Sequence, residues 1–191
     1  MRRFHLSKIL AVIFIVLSMA VLQVSAEVDP ALIARSSDSL VKLDLLRGDQ
    51  NGDLKLEDNI KRCEFITLVI RMLGHENDID NADIKMEFTD FSDKHWSYNN
   101  MKTALKYKLI EGYPDNTFKP DNNVTYAEAL AVLVRALGYE NTLEGEWPDN
   151  VITKSEELGI SNNISLPGDR KITRGEASLL IYNSLTVKFN K

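Results

Sequence analysis

Val124-Thr125-Tyr126-Ala127-Glu128 opens a pattern that occurs twice more in this chain, as Ile60-Lys61-Arg62-Cys63-Glu64 and as Ile172-Thr173-Arg174-Gly175-Glu176. After each shared Glu the same places recur. The first copy has Phe65, Leu68, Val69, Met72 and Leu73; the second has Ala129, Val132, Leu133, Ala136 and Leu137; the third has Ala177, Leu180, Ile181, Ser184 and Leu185. A spacing of i, i+3, i+4, i+7, i+8 is one face of an α-helix turned to a core. Gly74 and Gly138 follow the first two helices, where a left-handed C-cap is expected.

A second helix precedes each of these. In the middle copy Ser97 reads as its cap, with Trp96 and Met101 as a hydrophobic staple and Met101, Ala104, Leu105 and Leu109 as the buried stripe. The corresponding segments are Ala31 to Leu45 and Asp149 to Leu158. Between the helices, Gly112-Tyr113-Pro114-Asp115-Asn116-Thr117-Phe118-Lys119-Pro120 is dense in turn formers. Gly48 stands twelve residues before Ile60, as Gly112 does before Val124; the third loop, Ile160 to Ile172, is shorter. One such unit cannot bury enough apolar surface alone, so the three are expected to pack together as an all-α protein.

The start of the chain reads differently. Arg2, Arg3 and Lys8 precede an apolar run from Ile9 to Leu17, and Val24-Ser25-Ala26 offers a cleavage site, the three parts of a secretory signal peptide over residues 1–26. A retained membrane anchor is the alternative, disfavoured by the shortness of the run and by Ser18 and Gln23. Without these residues the chain has 20 Lys+Arg against 28 Asp+Glu, a net charge of −8. That balance argues against nucleic acid and requires any anionic ligand to be held by local cations. Cys63, the single cysteine, permits no internal disulfide and reads as a small buried side chain rather than a reactive or intermolecularly paired thiol. His5, His75 and His95 are scattered, with no zinc-type spacing, so no metal and no cofactor are expected.

Thr125 with Glu128, and Thr173 with Glu176, fit the capping box; Glu64 recurs behind Lys61, which cannot cap. These three Glu residues therefore read first as helix caps and second as ligand contacts. Arg62 and Arg174 stand in the first helical turn, where the macrodipole disfavours a cation. Two readings remain open for them. Each pairs with an acidic neighbour, or each adds charge to a helix start whose unpaired amides already favour an anion, its planar fork suited to a carboxylate. Tyr126 replaces Arg in the middle copy and can offer one hydrogen bond or a stacking face. Trp96, Tyr113 and Trp147 supply flat faces for sugar rings; packing is the expectation for the two Trp residues, exposure for Tyr113.

Phe88-Thr89-Asp90-Phe91 through Trp96, then Leu109 to Phe118 and Thr125-Tyr126-Ala127-Glu128, strongly resemble an S-layer homology (SLH) domain. Residues 87–139 carry the full resemblance. Residues 145–187 keep Trp147 and the helix start with a shortened loop; residues 27–75 are degenerate, lacking the Phe-x-Asp…Trp opening. The resemblance implies a pseudo-threefold helical assembly with ligand grooves between repeats. It also implies secretion to the cell wall and non-catalytic attachment to a secondary cell-wall polysaccharide of a Gram-positive envelope, often a pyruvylated one. It tips the two arginines towards ligand binding, and Arg62 and Arg174 are expected to serve two strong grooves of a possible three.

Rival readings carry less. Asp49-Gln50-Asn51-Gly52-Asp53 alternates oxygen ligands like a calcium loop, but Leu54 and Ile60 stand where Gly and an acid are needed, so it reads as a turn. No nucleophile motif or phosphate loop supports a wall-cleaving enzyme, and the recurrent Glu residues are caps. Only Thr186 to Lys191 follow the last helix, which leaves a bare anchor, a wall-coating subunit or an adaptor with a surface-layer protein partner; the membrane is met only through the signal peptide. His75 to Met86 reads as a solvated loop, with a partner surface as the alternative.

Overall fold

A computed structural model describes residues 28–78 and 84–190; the signal-peptide reading and the middle of the 75–86 loop lie outside them. Among the described residues six α-helices run in order: α1 (Pro30–Lys42), α2 (Arg62–Met72), α3 (Tyr98–Lys106), α4 (Tyr126–Ala136), α5 (Asp149–Leu158) and α6 (Arg174–Ser184). Among the described residues there is no strand, and none of the helices is long and apolar enough to cross a membrane.

The three helices that follow the turn-rich loops, α2, α4 and α6, are buried over most of their surface. Phe65, Ile66, Val69 and Ile70 of α2, Leu130, Leu133 and Val134 of α4, and Leu179, Leu180 and Ile181 of α6 are all within the core. Apolar residues on several faces, rather than one stripe, mark a central helix. Accordingly α2, α4 and α6 pack on one another, and α1, α3 and α5 form the outer layer.

The outer helix of a unit does not pack on the inner helix of the same unit. α1 packs on α6, α3 on α2, and α5 on α4, while among the described residues the pairs α1 and α2, α3 and α4, and α5 and α6, each joined by a turn-rich loop, do not pack together. Each unit thus lays its first helix on the second helix of the unit before it, and α1 closes the cycle by returning to α6. At the centre, three backbone hydrogen bonds form a closed triangle: Ile60 N–H donates to Ile172 O (3.0 Å), Ile172 N–H to Val124 O (3.2 Å) and Val124 N–H to Ile60 O (3.1 Å). The isolated bridges Asn59 with Thr173, Lys61 with Asn123 and Thr125 with Lys171 flank it.

Local expectations fare unevenly. α5 spans the anticipated Asp149–Leu158. Gly74 and Gly138 take φ +76° and +84°, as left-handed C-caps do. α1 ends at Lys42 instead of reaching Leu45, because Asp44 turns to φ +58° and stops the helix. Ser97 does not cap α3: its hydroxyl lies 2.8 Å from His95 Nδ1 instead. Asp49 Oδ1 accepts from the amides of Asn51 (2.8 Å) and Asp53 (3.1 Å), closing a turn around Gly52 at φ +79°.

Candidate functional site

Where the start of one inner helix meets the loop of the neighbouring unit, the fold makes the same junction three times. Arg62 and Cys63 N–H donate to Asn122 O and Pro120 O; Tyr126 and Ala127 to Arg170 O and Gly168 O; Arg174 and Gly175 to Asp58 O and Leu56 O, all at 2.8–3.0 Å. These are the amides a helix start normally leaves open. The expectation of free amides awaiting an anion is therefore corrected: the neighbour's carbonyls already occupy them. What remains at two junctions is a groove lined by side chains.

The Arg62 groove encloses about 260 Å³ between Arg62, Glu111, Gly112, Tyr113, Glu128 and Trp147. Arg62 is 9% exposed; Nη2 donates to Glu111 O (3.2 Å), and the guanidinium lies 5.3 Å from the ring centroids of both Tyr113 and Phe118. Its Nε is buried without a hydrogen-bond partner, a costly condition for a charged group. Tyr113 hydroxyl donates to Glu128 Oε1 (2.7 Å). Burial followed by this bond pushes the phenol up to about 12. Burial also pushes the Glu128 carboxyl up, yet the Thr125 amide, the Tyr113 hydroxyl and the Arg62 charge outweigh it and hold the group below its ordinary value.

The Arg174 groove is larger, about 400 Å³. Arg174 Nε donates to Leu54 O (2.8 Å) and Nη2 to Arg47 O (3.3 Å), and Nη1 stands 3.7 Å from Glu64 Oε2. Seven lining positions of this groove, Arg47, Gly48, Asp49, Glu64, Thr67, Leu68 and Arg71, recur 64 positions later in the other as Glu111, Gly112, Tyr113, Glu128, Ala131, Val132 and Arg135. Arg71 and Arg135 were not anticipated as groove residues, although their common offset was legible. Each is tied down, Nε donating to Glu76 and to Glu140 respectively at 2.7 Å.

The tryptophans overturn the packing expectation. Trp96 is 61% and Trp147 56% exposed, each on the rim of one groove. Tyr113 is half-buried. The third junction is built otherwise. Tyr126 is 1% exposed and its hydroxyl donates to Ile164 O (2.9 Å), so its ring forms wall and offers no stacking face. Glu176 is buried, with Oε1 accepting from Arg170 Nη1 (2.7 Å) and Oε2 from Thr173 N–H (2.8 Å). The short third loop brings Arg170 and Ile164 into space left open at the other two junctions.

All three Glu residues carry the capping bond from the preceding backbone amide: Lys61 to Glu64 at 3.0 Å, Thr125 to Glu128 at 2.9 Å, Thr173 to Glu176 at 2.8 Å. Their second oxygens differ, and in Glu128 and Glu64 the carboxylate also lines a groove. Cys63 is fully buried, and burial pushes its thiol up to about 12. The histidines looked isolated in sequence; the fold nevertheless brings His95 beside Cys63 and Asp121.

Residues 87–130 match the family model of the S-layer homology domain. This chain carries that domain. Over 148 residues it is 38% identical to the "Middle cell wall protein" of Brevibacillus brevis, and over 158 residues 36% identical to the "Surface layer protein" of Brevibacillus choshinensis. These alignments cover 78% and 83% of this chain but only 14% of either relative. A "Cellulosome-anchoring protein" of Acetivibrio thermocellus is 29% identical over 157 residues, 73% of this chain and 35% of that protein. The SLH match contains Tyr113, Tyr126, Glu128 and Trp96; Arg62, Arg174 and Trp147 lie outside it, on the flanking segments that complete the grooves.

Proposed function

We propose that this protein attaches non-catalytically to the cell wall at the cell surface. It does so by gripping an anionic secondary cell-wall polysaccharide, of the pyruvylated type, in the Arg62 and Arg174 grooves. Residues 27–75, 87–139 and 145–187 act as three SLH-type repeats behind a signal peptide. The observation that carries the reading is Arg62: a nearly buried guanidinium with an unsatisfied Nε, set between aromatic rings at the bottom of a groove rimmed by an exposed Trp. A carboxylate on a sugar would meet a bidentate partner there, and the indole would cover the ring's apolar face. The Arg174 groove repeats the combination with Trp96. The third junction, closed by Tyr126 and by the Arg170–Glu176 pair, serves as structure. Relatives named for the cell wall, the surface layer and anchoring support the same reading.

The test is sedimentation of the protein with purified sacculi before and after the secondary polymer is stripped. Binding that disappears on stripping, and in Arg62→Ala/Arg174→Ala, is the expected result. Binding that survives stripping would replace the glycan with a protein or peptidoglycan partner, and binding untouched by the double substitution would remove the arginines from the site. Reducing sugar released from the walls would refute the non-catalytic reading.

A further inference from the structure

At the junction between α2 and the second loop, three side chains of different chemistry converge. Cys63 Sγ, a His95 ring nitrogen and an Asp121 carboxylate oxygen all lie within 4.8 Å of one another. His95 Nε2 is 3.6 Å from Asp121 Oδ2. The edge of a tetrahedron built on metal–ligand bonds of 2.0–2.3 Å is roughly 3.3–3.8 Å, so this pair already stands at coordination spacing, and the sulfur needs to approach by no more than about 1 Å. We propose that Cys63, His95 and Asp121 form a site for a borderline divalent transition ion such as Zn²⁺, independent of the glycan grooves.

Three features beyond proximity support it. Asp121 divides its oxygens: Oδ1 accepts from Lys61 Nζ (2.9 Å), while Oδ2 faces the imidazole and remains for the ion. Ser97 holds the ring with Nε2 turned to Asp121: its Oγ lies 2.8 Å from His95 Nδ1 and its amide donates to that nitrogen at 3.3 Å, and ligation of Nε2 would place the ring proton on Nδ1, which then donates to Oγ in place of the amide bond. Burial is graded: Cys63 is wholly enclosed, the His95 side chain is 18% exposed and that of Asp121 58%. The sulfur thus forms the floor and the carboxylate the entrance, where water completes a fourth position.

The other two junctions lack the set. Ala127 and Gly175 stand at the place of Cys63, Glu146 and Pro148 at those of His95 and Ser97, and Asp169 and Glu57 at that of Asp121. The donors are therefore peculiar to this junction and are not required by the fold. On binding, the Cys63 S–H proton leaves to solvent and a sulfur–metal bond replaces it, with no change of oxidation state. Thiolate, imidazole and carboxylate together select zinc-like ions over Mg²⁺ or Ca²⁺.

Titrating the full-length protein with Co²⁺ tests this directly. One equivalent is expected to raise the near-ultraviolet sulfur-to-cobalt charge-transfer band together with intense tetrahedral visible bands, and Zn²⁺ is expected to displace it. The charge-transfer band should vanish in Cys63→Ser, and affinity should fall at least tenfold in His95→Ala and in Asp121→Asn, whose substituted side chains are far less buried. The absence of the band in the folded wild-type protein would overturn the site. So would a band that survives Cys63→Ser, or affinity indifferent to both of the other substitutions. None of the three substituted residues lines either arginine groove, so sacculus binding reports separately on the anchoring proposal.

Discussion

Arg62, Tyr126 and Arg174 hold the first position of α2, α4 and α6, yet the two arginines line grooves and the tyrosine lies in the wall. A charge-assisted hydrogen bond is worth about 1.5–3 kcal/mol, so Arg62→Ala or Arg174→Ala should each weaken wall binding about tenfold or more, measured by sedimentation with sacculi. Tyr126→Phe should leave that binding unchanged, since its hydroxyl is given to Ile164 O. Its measurable effect should be a loss of about 1 kcal/mol of stability. Glu128 sets a pH dependence. Its folded pKa is below the unfolded value, so its stabilisation is present above about pH 4.5 and is lost as pH falls through the folded pKa. Thermal melts between pH 3 and 7 should show Glu128→Gln flattening that acid limb; an unchanged limb would assign it to other carboxylates.

At the scale of the element, the three inner helices differ in how they begin. Thr125 and Thr173 accept from Glu128 N–H and Glu176 N–H, both at 3.2 Å, completing reciprocal capping boxes. Lys61 has no acceptor to offer, and α2 keeps only the half of the box supplied by Glu64. Denaturant titration should find Thr125→Ala and Thr173→Ala each costing about 1 kcal/mol, and Lys61→Ala clearly less, the residual being an exposed ion pair with Asp121. α6 has a further constraint. A Cβ on Gly175 would stand 2.6 Å from Ile33 Cγ2 and 3.1 Å from Leu56 O, because α1 and the first loop press against the start of α6. Gly175→Ala should therefore destabilise by roughly 1–3 kcal/mol despite the better helix propensity of Ala, whereas Ala fits at the matching Ala127.

For the molecule as a whole, the cyclic exchange of outer helices makes every unit depend on another. α1 is the closing element, since among the described residues it is the one outer-layer helix that packs on α6. Deleting residues 28–46 should lower the melting midpoint, and hydrogen exchange should show α6 amides losing protection; retained protection in α6 would refute the closed cycle. The chain resembles repeat proteins in sequence, but its contacts close on themselves instead of extending outward.

What the sequence by itself determined was local. The 3.6-residue spacing after each shared Glu marked the inner helices, the Thr–Glu pairs marked two of their starts, Gly74 and Gly138 marked ends, and the Phe88 to Glu128 stretch carried the SLH pattern. The helix marks among these depend on hydrogen bonds or side-chain periodicity within about a dozen residues. Periodicity also tells that a face is apolar, but not which partner covers it. Hence only the tertiary structure decided that α3 lies on α2 and α5 on α4, that the helix-start amides are taken by the neighbouring loop, and that Trp96 and Trp147 stay on the rims. The same holds for Cys63, His95 and Asp121, separated by 32 and 26 positions and joined because two units meet at one helix start.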